Sequence, residues 1–345
     1  MVSSTIFFIM MDMLNKLLIL RTPGIGPVKY KKLQAEYGDD ENIVQYLSPN
    51  QDFIDSVKYE MDKAHDLGIE YICDTDSRYP DGLLNVKNHP IVISVRGNIS
   101  TLSKKAVSIV GTRHSTVAGM DFIANLANVF ANHGFAIVSG MAMGTDTAAH
   151  MGALRAKGDT QTIAVLAGGV DYIWPLENES LYYEIMERGA LISEMPVGMM
   201  PNAQNFVQRN RWVAALADLL IVGEADEKSG SMTTARFALD YEKRVFAVPG
   251  HPVDARSAGP NSLIKAGLAT MCTSVGDFFD DDKDSENKKN KNTDNEILDK
   301  LGMVPVSESV LANLVKKNVS EIKSELVVLE LQGLIRKQDG GYVLN

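Results

Sequence analysis

Between Ala106 and Gly169 the hydrophobic positions run unbroken for four to six residues at a time and then stop at glycine. The segments are AVSIVGTR (Ala106–Arg113), AIVSGMAMGTDTAAH (Ala136–His150) and TIAVLAGGVDYIWP (Thr162–Pro175). Continuous β-branched or aliphatic runs closed by glycine and a small hydroxyl predict strands buried on both faces. The stretches between them carry helical pattern, so the strands should lie parallel. The same pattern predicts strands at 106–111, 135–139, 162–167, 190–194, 219–223, 244–248 and 270–274. Helices are expected at Thr116–His133, Thr147–Lys157, Leu181–Arg188, Val207–Ala217 and Thr233–Lys243. This alternation specifies an α/β fold, a doubly wound, Rossmann-like and mostly parallel sheet. Ligands in such sheets sit beyond the carboxyl ends of the strands, so function should be sought in the glycine-rich turns.

The α/β unit is expected over 104–279. Residues 1–70 read as a small helical domain with a sharp turn at Arg21-Thr-Pro-Gly-Ile-Gly-Pro27. Residues 71–103 read as a connecting segment, with strand-like runs at Glu70–Cys73 and Ile91–Gly97 and a turn at Tyr79–Gly82. Residues 280–294 are Asp, Lys and Asn with almost nothing apolar, which predicts a flexible acidic linker. In 295–345 three short helical runs (Glu296–Leu301, Glu308–Lys316, Ser320–Gln332) precede alternating residues split by Asp339-Gly340, a hairpin turn. Three helices and a hairpin predict a C-terminal winged helix.

The net charge of −10 at first argues against a nucleic-acid partner. Its distribution weakens that objection: 104–276 holds 14 basic and 16 acidic residues, whereas Asp277–Glu286 alone holds six acids and one Lys. A local basic groove remains possible on a balanced core, without long-range attraction for polyanions. Cys73 and Cys272 are the only cysteines, far apart, with no metal-ligand spacing and no disulfide framework, as in a reducing cytosol. The apolar N-terminus lacks a leading basic residue and is broken by Asp12, so neither a signal peptide nor a membrane span is expected. A cytoplasmic location follows.

Candidate chemistry gathers at the turns. Arg113, after Gly111 and Thr112, either lies in solvent or forks onto a phosphate beside the Thr112 and Ser115 hydroxyls. In Ser139-Gly-Met-Ala-Met-Gly-Thr-Asp146 the small residues Ser139, Gly140, Ala142 and Gly144 leave room for an incoming backbone, and Asp146 is expected as a helix N-cap. His150 lacks a partner and reads as a packed histidine. Phe206, Arg209, Asn210 and Arg211 open a helix; the arginines either pair with carboxylates such as Glu194 or Glu224 or face phosphates, one arginine for each role being possible, with Phe206 offering a ring to a base. Ser229-Gly-Ser231 is another anion-friendly turn, in which Ser231 could equally be an ordinary cap. There is no G-x-G-x-x-G, no G-x-S-x-G, no H-E-x-x-H and no Walker loop. Phosphate-suited turns without a reactive group describe a binding protein rather than an enzyme, with no cofactor or metal.

These motifs in this order resemble the DNA-processing protein A family, also called Smf. The carrying residues are Gly111-Thr-Arg113, Ser139–Asp146, Gly169-Val-Asp171 through Trp174-Pro175 to Asn178, Ser193-Glu194, Phe206 with Arg209-Asn-Arg211, Ser229-Gly-Ser231 with Thr234-Ala235, and Pro249-Gly250. The resemblance implies a protein that binds single-stranded DNA, dimerises, protects incoming DNA in natural transformation and loads a RecA-type recombinase. It implies that Arg113 and the Ser139–Gly144 turn contact phosphates, that Arg209 and Arg211 support the groove, and that Phe206 stacks on a base. It places the dimer surface late in the sheet, around Leu263-Ile264. Two departures remove charge: Asn202-Ala-Gln-Asn205 stands where the family often has a basic residue, and Leu176 where Lys is common. Pro23-Gly-Ile-Gly26 looks like a helix-hairpin-helix turn, either phosphate-holding or purely structural beside acidic Asp39-Asp-Glu41. In the winged helix, Ser320–Gln332 sets Glu321, Glu325 and Glu330 against Lys323, which suits a protein contact or regulation better than a major groove. The alternative is a Rossmann-like nucleotide hydrolase of the lysine-decarboxylase-like (LOG) type, whose Pro-Gly-Gly-x-Gly-Thr turn has only a distant echo at Ser229–Thr234.

Overall fold

The computed structural model describes residues 4–158, 162–279, 295–301, 305–338 and 340–344, with side chains omitted at 4–9, 279 and 299. It divides into two compact units, Met1–Asp277 and Phe278–Asn345. The expected linker, 280–294, lies outside the described residues.

The first unit is built on one nine-stranded sheet. Its strands are β1 (Ile69–Cys73), β2 (Val92–Gly97), β3 (Ala106–Val110), β4 (Ala136–Ser139), β5 (Thr162–Val165), β6 (Ala190–Ser193), β7 (Leu219–Val222), β8 (Arg244–Ala247) and β9 (Thr270–Met271). They are ordered β1-β2-β6-β5-β4-β3-β7-β8-β9. From β6 to β9 all neighbours are parallel, as the unbroken apolar runs require. β3, β4, β5, β6 and β7 are buried along their whole length. The doubly wound topology follows from the order: the chain steps from β3 out to β6, then returns to the other side of β3 with β7.

The segment expected to be a connection is part of this sheet. β2 runs antiparallel to β6, with Ser94 opposite Ser193, and β1 runs antiparallel to β2. Periodicity marked both strands, but only tertiary pairing shows that they join the main sheet. The N-terminal helices Ser4–Arg21, Pro27–Tyr37, Asp40–Leu47 and Gln51–Asp66 precede them. Leu17, Ile19, Tyr30 and Ile43 of these helices share one core with Ile91 and Val92. Asp40, one of the acids near the Gly24–Gly26 turn, is buried and accepts hydrogen bonds from Tyr30 Oη (2.7 Å) and Lys16 Nζ (2.8 Å). Its charge is therefore spent inside the module. Leu263, suggested for a dimer surface, faces inward from the helix Ala255–Lys265 and is 5% exposed, with Ile264 partly buried against the same core. The Leu263 side chain thus serves the chain's own core.

The second unit packs Ile297, Leu311, Ile322, Leu326 and Ile335 around the helices Glu308–Leu314 and Val319–Leu331. A hairpin of β10 (Ile335–Gln338) and β11 (Gly341–Leu344) completes a winged helix, and Val306 bridges Tyr342 at its edge. Asp339 of the expected turn lies outside the described residues. The first expected helix is only a short 3₁₀ turn, Leu298–Lys300. Lys323, the one cation of the acidic helix, is paired with Glu308 (3.3 Å), and Lys317 just before the helix with Glu325 (2.8 Å).

Candidate nucleic-acid interface

β3 and β7 are neighbours from which the chain departs in opposite directions, and a cleft of about 340 Å³ opens beyond their carboxyl ends. That is where a doubly wound sheet presents a crevice. The turn after β3 supplies Gly111, Thr112, Arg113 and His114; the turn after β4 supplies Ala142; the loop after β7 supplies Ser229, Gly230 and Ser231. The helix Ala203–Leu216 supplies Phe206, Val207, Arg209 and Asn210. Asn202 caps that helix, accepting from Gln204 N (3.0 Å) and Asn205 N (3.1 Å). The segment that departs from the family pattern by lacking a basic residue thus fixes the helix start.

Two features suit the cleft to phosphate. The helix Gly230–Asp240 begins in its wall, and unpaired N–H groups of a first helical turn favour an anion. Ser229 stands at the N-cap position of that helix with its hydroxyl buried and without a partner among the described residues. Ser231 is committed to the protein, donating its hydroxyl to Gly111 O (2.6 Å) and so tying the two turns together.

The third feature is aromatic. Phe206 lies edge-on to Trp174, ring centres 4.6 Å apart. The exposed Arg113 guanidinium sits 5.0 Å from the Trp174 ring centre and 5.5 Å from that of Phe206. Among the residues lining the cleft Arg113 is the exposed cation. The sequence motif containing Trp174-Pro175 assigns the ring no role, and His114 and Val207, which line the cleft, carry no sequence signal. The signal for Trp174 was present: an aromatic in the glycine-rich loop that follows the buried strand β5.

Arg209 is placed differently from either sequence reading. It is 6% exposed, and its Nη1 donates to the carbonyls of Gly140 and Val165, the latter at 2.8 Å. These two partners are backbone oxygens at the ends of β4 and β5, and its Nε donates to Asn210 Oδ1 (3.2 Å), so it neither faces a strand of phosphates nor pairs with Glu194 or Glu224. Glu224 instead accepts from Thr116 N and Thr116 Oγ1, both at 2.6 Å. A Cβ at position 140 would occupy the guanidinium's place, and this is why that position is glycine. Desolvation lowers the Arg209 pKa, the nearby Asp146 opposing it; desolvation raises that of the buried Asp146. Arg211 points to the other side of its helix, donating to Tyr241 Oη (3.3 Å) and Lys87 O (3.4 Å), outside the cleft.

The turn after β4 is likewise closed on itself. Ser139 Oγ donates to Ile109 O (2.7 Å) and is fully buried. Ala142 N donates to Asp146 (3.2 Å), and Thr145 N to Thr112 O (3.1 Å). Gly144, at φ +75°, is itself the N-cap, and a Cβ there would press on the Arg113 backbone at 2.7 Å. Asp146 is therefore a first-turn residue rather than the cap. Ser139, Gly140 and Gly144 shape the site from beneath, and of this turn only Ala142 reaches the cleft. His150 is packed, as expected: fully buried, with Nδ1 2.7 Å from Thr162 Oγ1.

Residues 70–282 match the family described as DNA recombination-mediator protein A, and residues 284–341 match the DprA winged helix domain. The chain belongs to this family. It is 37% identical over 215 residues to DNA processing protein DprA of Bacillus subtilis, covering 62% of this chain and 71% of that one. It is 33% identical over 281 residues to protein Smf of Escherichia coli, covering 77% and 74%. Among solved structures it is similar to DNA processing protein A of Streptococcus pneumoniae, with a TM-score of 0.65 and 30% identity over 78% of this chain and 97% of that one. The Helicobacter pylori protein, whose structure describes a single-stranded DNA binding mode, matches with a TM-score of 0.56 and 32% identity over 61% and 94%. The chain is thus a DNA-processing protein of the DprA/Smf family with a Rossmann-like sheet and a winged helix. Among the described residues no helix is long and apolar enough to cross a membrane.

Proposed function

We propose that this member of the family binds single-stranded DNA across the cleft between β3 and β7, as a cytoplasmic homodimer that protects incoming strands in natural transformation and delivers them to a RecA-type recombinase. The observation that carries the reading is the grouping of Arg113, Phe206 and Trp174 beside the start of the helix Gly230–Asp240. A guanidinium and helix amides take phosphate, and aromatic faces take bases of any sequence. The similar H. pylori protein, described by its single-stranded DNA binding mode, supports the ligand class. Arg209 enters this reading as the pin holding the β4 and β5 ends under Phe206, whose ring centre lies 5.8 Å from its guanidinium.

Fluorescence anisotropy of a labelled dT oligonucleotide tests it, with AMP hydrolysis followed on the same preparation. Binding is expected to weaken as salt rises. Arg113→Ala should lose most of the affinity, and Phe206→Ala about 1–3 kcal/mol. Absence of binding at low salt, or release of ribose phosphate from AMP, would replace this reading with a nucleotide hydrolase.

A further inference from the structure

The amino-terminal ends of the same strands form another cleft, on the opposite rim of the sheet. It encloses about 250 Å³ between Ser77–Gly82, the Leu102–Lys105 segment before β3, Asp218 before β7 and Lys243 before β8. Gly82 closes its floor: a Cβ there would meet Ala215 O at 2.7 Å.

Its charges are unevenly satisfied. Arg78 is held by Asp76 (2.8 Å) and Glu70 (3.0 Å). Lys104 and Lys105 are exposed and Lys243 is half-buried, and none of the three forms an ion pair among the described residues. Two carboxylates share the cleft: Asp218, which accepts the Ala106 N–H at 3.4 Å, and Asp81. Three lysines from two distant segments therefore line one concave, polar space in a chain whose net charge is −10. Like charges gathered in a recess repel, and an anion between them relieves the repulsion.

We propose that Lys104, Lys105 and Lys243 form a second phosphate-binding site, taking a phosphate ester at the rim opposite the Arg113 cleft. The ester comes either from a long strand that passes from one rim to the other or from a free nucleotide.

The full chain carrying K104A/K105A/K243A is compared with the native chain in two experiments. In the first, affinity for a short dT oligonucleotide of about six nucleotides and for a long poly(dT) is followed against salt. If a strand is the source, the log–log salt slope for the long ligand falls by about 0.7, the contribution of one phosphate neutralised on a single strand, and the short ligand is unaffected. In the second, ³¹P line broadening of inorganic phosphate and of AMP is recorded. If a free ester is the source, broadening by the native chain is lost in the variant while both oligonucleotides bind unchanged. No change in either experiment overturns the proposal, as does equal loss for short and long ligands. Arg113→Ala is the control on the first cleft: its short-oligonucleotide result tests that reading alone. K104Q/K105Q/K243Q replaces the alanine variant if melting curves show that the latter is unfolded.

Discussion

Two arginines near one aromatic ring have opposite fates, and the difference lies in what stands opposite each. Arg209 meets the bare backbone of Gly140 and is drawn inside; Arg113 meets ring faces and stays in solvent. Sequence pattern revealed both residues but could not separate them, because the hole that receives Arg209 is made by a glycine 69 positions away. Arg209→Ala should therefore cost about 3–5 kcal/mol of stability in urea melts, by stranding two carbonyls and the buried Asp146. Native-like melting with DNA binding lost would return Arg209 to direct phosphate contact. His150 gives a pH signature. Thr162 Oγ1 donates to Ile137 O, so it accepts from the imidazole Nδ1–H, and Nε2 is left buried without a partner. Burial, and then the Arg209 charge, push the His150 pKa down to about 3. The unfolded chain takes up a proton near pH 6.5 that the folded chain refuses, so this contribution is complete above pH 6.5 and falls away as pH drops toward 3. Between pH 7 and pH 5 the native chain should lose about 2 kcal/mol more than His150→Asn, by urea midpoints at both values. The raised pKa of Asp146 acts in the reverse sense in both proteins and cancels.

At the level of elements, legibility followed burial. The parallel strands β3, β4, β5, β6 and β7 lie close to their expected limits because each is buried on both faces, leaving no competing helical pattern. Helix starts were less legible: Gly230–Asp240 and Ala203–Leu216 begin earlier than their hydrophobic stripes suggested, because caps at Ser229 and Asn202 sit ahead of the first apolar residue. Close approach between elements left no periodic signal. The helices Val117–Asn132 and Thr145–Leu154 touch where Gly152 faces Ala124, and a Cβ at 152 would overlap the Ala124 backbone, its Cα at 2.7 Å. Gly152→Ala should therefore separate the two helices and destabilise the chain by about 1–3 kcal/mol, as overpacking against backbone does. A melting temperature equal to the native one would show that the pair can slide without cost. The lysines of the second cleft are an extreme of the same illegibility, since Lys105 and Lys243 share a rim only after the sheet has been wound in both directions.

At the scale of the whole molecule, both clefts and every strand of the large sheet belong to the unit Met1–Asp277, while the winged helix builds a core of its own. A chain ending after Asp277 should therefore keep the native affinity for dT within about twofold, measured by the same anisotropy titration, if strand binding needs only the first unit. A large loss would assign the winged helix a direct part in gripping DNA. The N-terminal helices present the contrary case. They share one apolar interior with Ile91 and Val92 at the start of β2, and Lys63 of the helix Gln51–Asp66 reaches Asp171 at 2.7 Å. They are less a tool hung from the sheet than its weatherproofing. A chain clipped just before Ile69 would lay bare a greasy margin and would meet its own copies before it met any DNA.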